Sequence, residues 1–80
     1  MSRSRSRLHK SKLVEFTGWL ESIGWNQEKT KGDYEVLRMR NSGYKDPLIV
    51  YDRNVAPEHY TTFGISDKFF SKFNRVKHER

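Results

Sequence analysis

The chain has 80 residues, a net charge of +6 and no cysteine. This length corresponds to one domain, and the absence of cysteine excludes a disulfide framework and a zinc site built from thiolates. No apolar run approaches the roughly 18 residues that a membrane span needs, and the basic start lacks the apolar segment of a signal peptide. We therefore expect a soluble, cytoplasmic protein.

The positive charge is concentrated at the two ends of the chain. Residues 1–12 carry five bases and no acid, and residues 72–80 carry four bases and one acid, whereas residues 13–71 carry seven bases and nine acids. The predicted body is therefore close to neutral, and the overall basicity does not by itself indicate a nucleic-acid surface.

The first predicted element is a disordered basic arm at residues 1–10, because SRSRSRLHK is low in complexity and repels itself. Such an arm either neutralises phosphates or only solubilises the protein. A helix follows at residues 12–23, since an apolar stripe recurs with helical spacing there and Gly24 is a typical residue to end a helix. Gly18 inside this helix costs roughly 1 kcal/mol relative to Ala, and a close packing contact would explain it.

Strands are predicted next, at residues 25–30, 33–40 and 48–53, with a shorter fourth at residues 59–64. Alternation within 33–40 predicts one face carrying Tyr34, Val36, Arg38 and Arg40 and another carrying Glu35, Leu37 and Met39.

A second helix is predicted at about residues 67–77, with Ser66 as its N-cap and phenylalanines along one face. The order α-β-β-β-(β)-α predicts an α+β fold, in which two helices cover one face of an antiparallel sheet of three to four strands. The predicted domain covers residues 11–77, and residues 78–80 form a tail.

This arrangement resembles the double-stranded-RNA-binding domain, in particular the small HicA-type toxins, over about residues 12–53. The features that carry the resemblance are Ile23-Gly24-Trp25 at the end of the first helix and the turn Lys31-Gly32-Asp33-Tyr34. HicA proteins are mRNA interferases whose catalytic histidine follows Gly-Ser or Gly-Thr in that turn. Asp33 and Tyr34 occupy these positions here, so the resemblance implies the fold and supplies no catalytic residue. The small size, terminal charge and aromatic content also resemble short bacteriophage proteins, several of which block a host nucleic-acid enzyme or a defence complex.

Basic residues from three segments are the candidates for nucleic-acid binding. They are Arg3, Arg5, Arg7, Lys10, Lys12, Arg38, Arg40, Lys68, Lys72 and Arg75. Those on the second strand would hold phosphates beside an aromatic ring, or else form cross-strand ion pairs for which Asp52 is a candidate partner. Those on the last helix would meet the nucleic-acid backbone, or else form only its solvated face.

Four aromatic residues are the candidates for a protein interface: Trp19, Tyr44, Tyr51 and Tyr60. The sequence contains no recognisable metal, cofactor or nucleophile motif. Our first hypothesis is a non-catalytic module that contacts RNA or DNA through the arm and the last helix. The alternative is a phage-type, protein-binding inhibitor of a host nucleic-acid enzyme or defence complex. A third hypothesis is an active HicA-like ribonuclease.

Overall fold

The structure is a computed structural model, and it describes residues 7–52, 58–60 and 65–78. In chain order these residues form strand β1 (Arg7–His9), a 3-10 turn (Lys10–Lys12), helix α1 (Leu13–Ser22), strands β2 (Asn26–Glu28), β3 (Glu35–Arg40), β4 (Leu48–Tyr51) and β5 (Glu58–Tyr60), and helix α2 (Ile65–His78). The predicted α+β class is confirmed, and so is the predicted order of helices and strands from α1 onward, whereas β1 was not predicted. Within the described ranges, no helix has the length and apolarity needed to cross a bilayer.

The strands form one antiparallel sheet with the order β1-β5-β4-β3-β2. Strands β2, β3 and β4 follow one another as a meander, as the short turns between them predict. The sheet is wider than the predicted three to four strands because β1 pairs with β5, with Arg7 opposite Tyr60 and His9 opposite Glu58.

Strand β1 corrects the prediction that residues 7–10 belong to a disordered arm. Leu8 is only 1% exposed and belongs to the core. The carbonyl of Arg7 accepts a hydrogen bond from Asn74 Nδ2 of α2 at 3.3 Å. Local composition missed this strand because its partner β5 lies far along the sequence. The remainder of the predicted arm, residues 1–6, lies outside the described residues.

The core lies between the sheet and the two helices. Leu37 pairs with Val50 and Met39 with Leu48, so four buried side chains of β3 and β4 lie on one face. The helices contribute five buried side chains, Phe16, Leu20, Phe69, Phe70 and Phe73, and all nine belong to one cluster. The helices contact each other through edge-to-face rings, with the centroids of Phe16 and Phe70 4.9 Å apart. Both helices therefore cover the same face of the sheet, as predicted.

A bulge in β3 changes which residues share the uncovered face. Glu35 pairs with Tyr51 but Leu37 pairs with Val50, so Val36 is the extra residue of β3. Val36 packs against the core, while the side chain of Glu35 lies beside that of Arg38. Strict alternation predicted Val36 on the face of Arg38 and Glu35 on the opposite face. The bulge reverses both positions, so the prediction is wrong for Val36 and Glu35.

Two glycines test what the sequence predicted for α1, Gly18 within the helix and Gly24 at its end. Gly24 adopts a φ of +107°, and the Trp25 backbone N–H donates to the Leu20 carbonyl at 3.0 Å, so Gly24 ends the helix as predicted. A Cβ added at Gly18 would meet nothing within 4 Å, so the predicted close packing contact is wrong.

Candidate nucleic-acid interface

The exposed side of α2 carries a stripe of three bases, Lys68, Lys72 and Arg75, which we call the basic stripe. Their spacing of four and three residues places them on one side of the helix. All three residues are exposed, whereas Phe69, Phe70 and Phe73 on the other side are buried. The ammonium of Lys72 lies 5.5 Å from the centroid of the Phe69 ring. Burying one side of α2 against the sheet thus turns the bases of its other side toward solvent.

The basic N-terminal segment enters the fold beside this stripe. Arg7 is exposed, and its carbonyl is hydrogen-bonded to Asn74, the residue before Arg75. This hydrogen bond brings the backbone of Arg7 next to α2, while alternation with the buried Leu8 puts the Arg7 side chain toward the uncovered face of the sheet. Sequence reasoning missed Asn74, because a hydrogen bond to a backbone carbonyl so distant in the chain leaves no local pattern. Arg3 and Arg5 lie outside the described residues and are attached to the fold through Arg7.

The other two bases of the predicted arm are held by acids. The Lys10 ammonium is 3.7 Å from the Asp52 carboxylate, and the Lys12 ammonium is 3.6 Å from that of Glu15. Ion pairs this exposed contribute little to stability, so a phosphate would compete with the carboxylates for these lysines at small cost.

Arg38 forms a bidentate, nearly buried ion pair with Glu35 of the same strand. Its Nε and Nη2 donate to the two carboxylate oxygens of Glu35 at 3.1 and 2.9 Å. The side chains are only 11% and 9% exposed. Glu35 also accepts from the Lys31 backbone N–H at 2.9 Å. The hydrogen bonds from Arg38, and after them the one from the Lys31 backbone, lower the pKa of Glu35 to about 2. The hydrogen bonds to Glu35 in turn raise the pKa of Arg38.

Arg40 has a more exposed partner on the neighbouring strand. Its Nε donates to Glu28 Oε2 at 3.0 Å, and this bond is the main cause that lowers the pKa of Glu28. Both strand arginines are therefore in ion pairs, but only the pair of Arg40 joins two strands as one of the two interpretations predicted. The suggested partner was wrong, because Asp52 contacts Lys10 instead. A phosphate at Arg38 would have to displace a bidentate carboxylate.

Three of the four aromatic candidates, Trp19, Tyr44 and Tyr51, divide between the two sides of the sheet. Trp19 is half-buried against Phe69 and Phe73, with centroid distances of 6.0 and 5.5 Å. Tyr44 lies against Trp25 and the same Phe69, at 4.9 and 6.0 Å. Tyr51 follows the buried Val50 and is on the uncovered face, and Tyr60 pairs with it across the sheet. The structure thus brings Trp19 and Tyr44 together around Phe69 and separates them from Tyr51.

Within the described part of the chain, no group of three or more His, Asp or Glu residues is placed to hold a metal ion. The fold and this surface define a small α+β module with one basic side. No family model, curated protein or solved structure matches the chain. Its resemblance to the double-stranded-RNA-binding domain and to HicA proteins stays a prediction.

Proposed function

We propose that this protein is a non-catalytic nucleic-acid-binding module whose contact surface is the basic stripe of α2 together with the arginine-rich N-terminal segment. The observation that carries the proposal is the hydrogen bond from Asn74 to the Arg7 carbonyl. It brings two segments that both carry excess positive charge next to each other at one edge of the fold, and the charge distribution along the sequence does not reveal this.

The dimensions of this surface suit a phosphate backbone. Lys68 and Arg75 are seven residues apart, which is about 10 Å along a helix axis and enough to face more than one phosphate. Arg7, together with Arg3 and Arg5 that precede it in the sequence, would add positive charge to this surface. Phosphate contacts of this kind position a nucleic acid without reading its sequence, so we expect binding with strong salt dependence and little sequence preference.

Arg38 and Arg40 have a smaller role in this proposal than the sequence suggested. Each already has a carboxylate partner, and the Arg38 pair is nearly buried. A phosphate that drew Arg38 away would leave the Glu35 carboxylate without its strongest donor. The surface we propose therefore consists of Arg3, Arg5, Arg7, Lys68, Lys72 and Arg75, with Lys10 and Lys12 at its margin. We expect it to act in the cytoplasm.

Charge-matched variants test the proposal. Lys68→Gln/Arg75→Gln removes two charges from the basic stripe. Lys29→Gln/Lys31→Gln removes two from exposed positions in the β2–β3 connection and is the control. Binding to labelled duplex DNA, duplex RNA and single strands is measured by anisotropy at two salt concentrations.

We expect the stripe variant to weaken binding about tenfold per lost phosphate contact near 0.1 M salt and to reduce the salt slope by about two. The control should change little. Equal losses in the two variants would mean that net charge alone attracts the nucleic acid. Absence of binding by the unaltered protein at low salt would refute the proposal.

A deletion of residues 1–6 tests the N-terminal half of the surface. This end point keeps β1 intact, whereas a deletion to residue 11 would also remove the buried Leu8 and confuse lost binding with lost folding. We expect the short deletion to lower the salt slope while the circular dichroism spectrum and the melting temperature stay unchanged.

The alternative function is a protein-binding inhibitor of a nucleic-acid enzyme, and the position of Trp19 favours it. Trp19 is half-buried on two phenylalanines with part of its surface exposed, and tryptophans in such positions are common at binding hot spots. If nucleic acid does not bind, the next experiment is capture of a partner by the unaltered protein and its loss with Trp19→Ala.

A further inference from the structure

The ring of Tyr44 lies next to the basic stripe with part of its surface open. Its backbone belongs to the turn between β3 and β4, and the residue is 42% exposed. The ring contacts Trp25 with a centroid distance of 4.9 Å and an interplanar angle of 34°, and it meets Phe69 edge to face at 6.0 Å and 71°. Buried aromatic side chains therefore support the ring from beneath, and its remaining surface faces solvent.

The turn that carries Tyr44 is fixed in place by the side chain of Asn41. The Tyr44 backbone N–H donates to the Asn41 carbonyl at 2.9 Å, and the Gly43 N–H donates to Asn41 Oδ1 at 2.8 Å. Asn41 Nδ2 in turn donates to the carbonyl of Gly24 at 3.1 Å. The turn is thereby tied to the end of α1, so little conformational freedom remains to be lost when something stacks on the ring.

Two lysines belong to the surroundings of Tyr44, one through its contact with Phe69 and one as the next residue in the chain. Phe69 contacts Tyr44 on one side and has the Lys72 ammonium 5.5 Å from its centroid. Lys45, the next residue after Tyr44, is exposed. An aromatic face with cations next to it is how proteins hold single-stranded nucleic acid without sequence preference, since a base stacks on the ring while its phosphates meet the cations.

We propose that Tyr44 is a stacking platform for a base of single-stranded nucleic acid, adjacent to the basic stripe. This inference rests on the proposed function and deepens it by naming the substrate class. In a duplex the base faces are occupied by neighbouring bases, so the basic stripe alone serves a duplex. A single strand gains the stacking contact in addition.

The test compares Tyr44→Leu, Tyr44→Phe and the control Tyr34→Leu. Leucine at position 44 keeps an apolar cover on Trp25 but cannot stack, whereas phenylalanine can. Tyr34 is 59% exposed and lies in the β2–β3 connection. Binding of a 12-nucleotide oligo-dT, a 12-nucleotide oligo-U and a duplex of the same length is measured at one salt concentration.

We expect Tyr44→Leu to bind both single strands about tenfold more weakly and to bind the duplex as before. Tyr44→Phe and Tyr34→Leu should resemble the unaltered protein. Equal binding of single strands by Tyr44→Leu and the unaltered protein would overturn the inference, and so would an equal loss on the duplex.

A second measurement decides the matter if Tyr44→Leu alters the circular dichroism spectrum. The unaltered protein is photocrosslinked to a strand containing 5-bromouracil, and the crosslinked peptide is mapped. A crosslink at Tyr44 supports the inference, and crosslinks confined to other peptides overturn it.

If Lys68→Gln/Arg75→Gln weakens all binding while Tyr44→Leu weakens none, only this inference fails. If the unaltered protein binds nothing, the proposed function fails with it.

Discussion

Replacing Glu35 by Gln should destabilise the protein in a way that depends on pH. Glu35 has a pKa of about 2 in the folded protein against an ordinary value of 4.5. The folded-state pKa is the lower one, so the carboxylate contributes stability above pH 4.5 and loses it as the pH falls toward 2. This difference in pKa corresponds to at most about 3 kcal/mol at pH 7 and about 1 kcal/mol at pH 3.

Urea unfolding of the unaltered protein and Glu35→Gln at pH 7, 5, 4 and 3 measures this contribution. A protonated Glu and a Gln leave Arg38 in the same unpaired state, so the two free energies of unfolding should converge as the pH falls. Glu28→Gln is the control, because its pair with Arg40 lies on the same sheet but is more exposed, and its effect should be smaller. A difference at pH 7 that persists unchanged at pH 3 would show that Glu35 acts through shape and not through charge.

Three further substitutions test the fold. Gly18→Ala should raise the free energy of unfolding by about 0.5–1 kcal/mol, since the new methyl meets no atom; a loss of stability in urea unfolding would contradict this. Gly24→Ala should lower it by about 1–2 kcal/mol, because φ is +107° and the methyl would lie 3.2 Å from Asn41 Nδ2; an unchanged melting temperature would refute the strain. Leu8→Ala should cost about 2–5 kcal/mol by calorimetry, whereas a residue in a disordered arm would cost nothing.

The sequence predicts the elements well where local spacing decides the structure. The alternation of Leu37 and Met39 identified the buried face of β3, and Gly24 identified the end of α1. Alternation failed at Val36, because a bulge depends on how β3 and β4 align and not on β3 alone. The partner of Arg38 depends on this bulge and the partner of Arg40 on the alignment of β2 with β3, so ion pairs could be predicted but not the acids that form them.

The candidate interface was predicted in parts. Charge counting found the two basic ends, but only the position of Asn74 beside Arg7 shows that β1 and α2 are adjacent. Similarly, Tyr44 was selected as an exposed aromatic, whereas its support by Trp25 and Phe69 needs three segments that are distant in sequence. Contacts of this range are not encoded in any short stretch of residues.

The pairing of β1 with β5 also has a consequence for the order of folding. The first described strand completes its hydrogen bonds only with one that lies about fifty residues later, and closing a loop of that length is costly until other contacts hold its ends together. On the ribosome, where the N terminus emerges first, β1 must wait until most of the chain has been synthesised. Until then Leu8 has no core to enter, so the meander of β2, β3 and β4 can assemble before β1, and β1 then docks at the edge of the sheet.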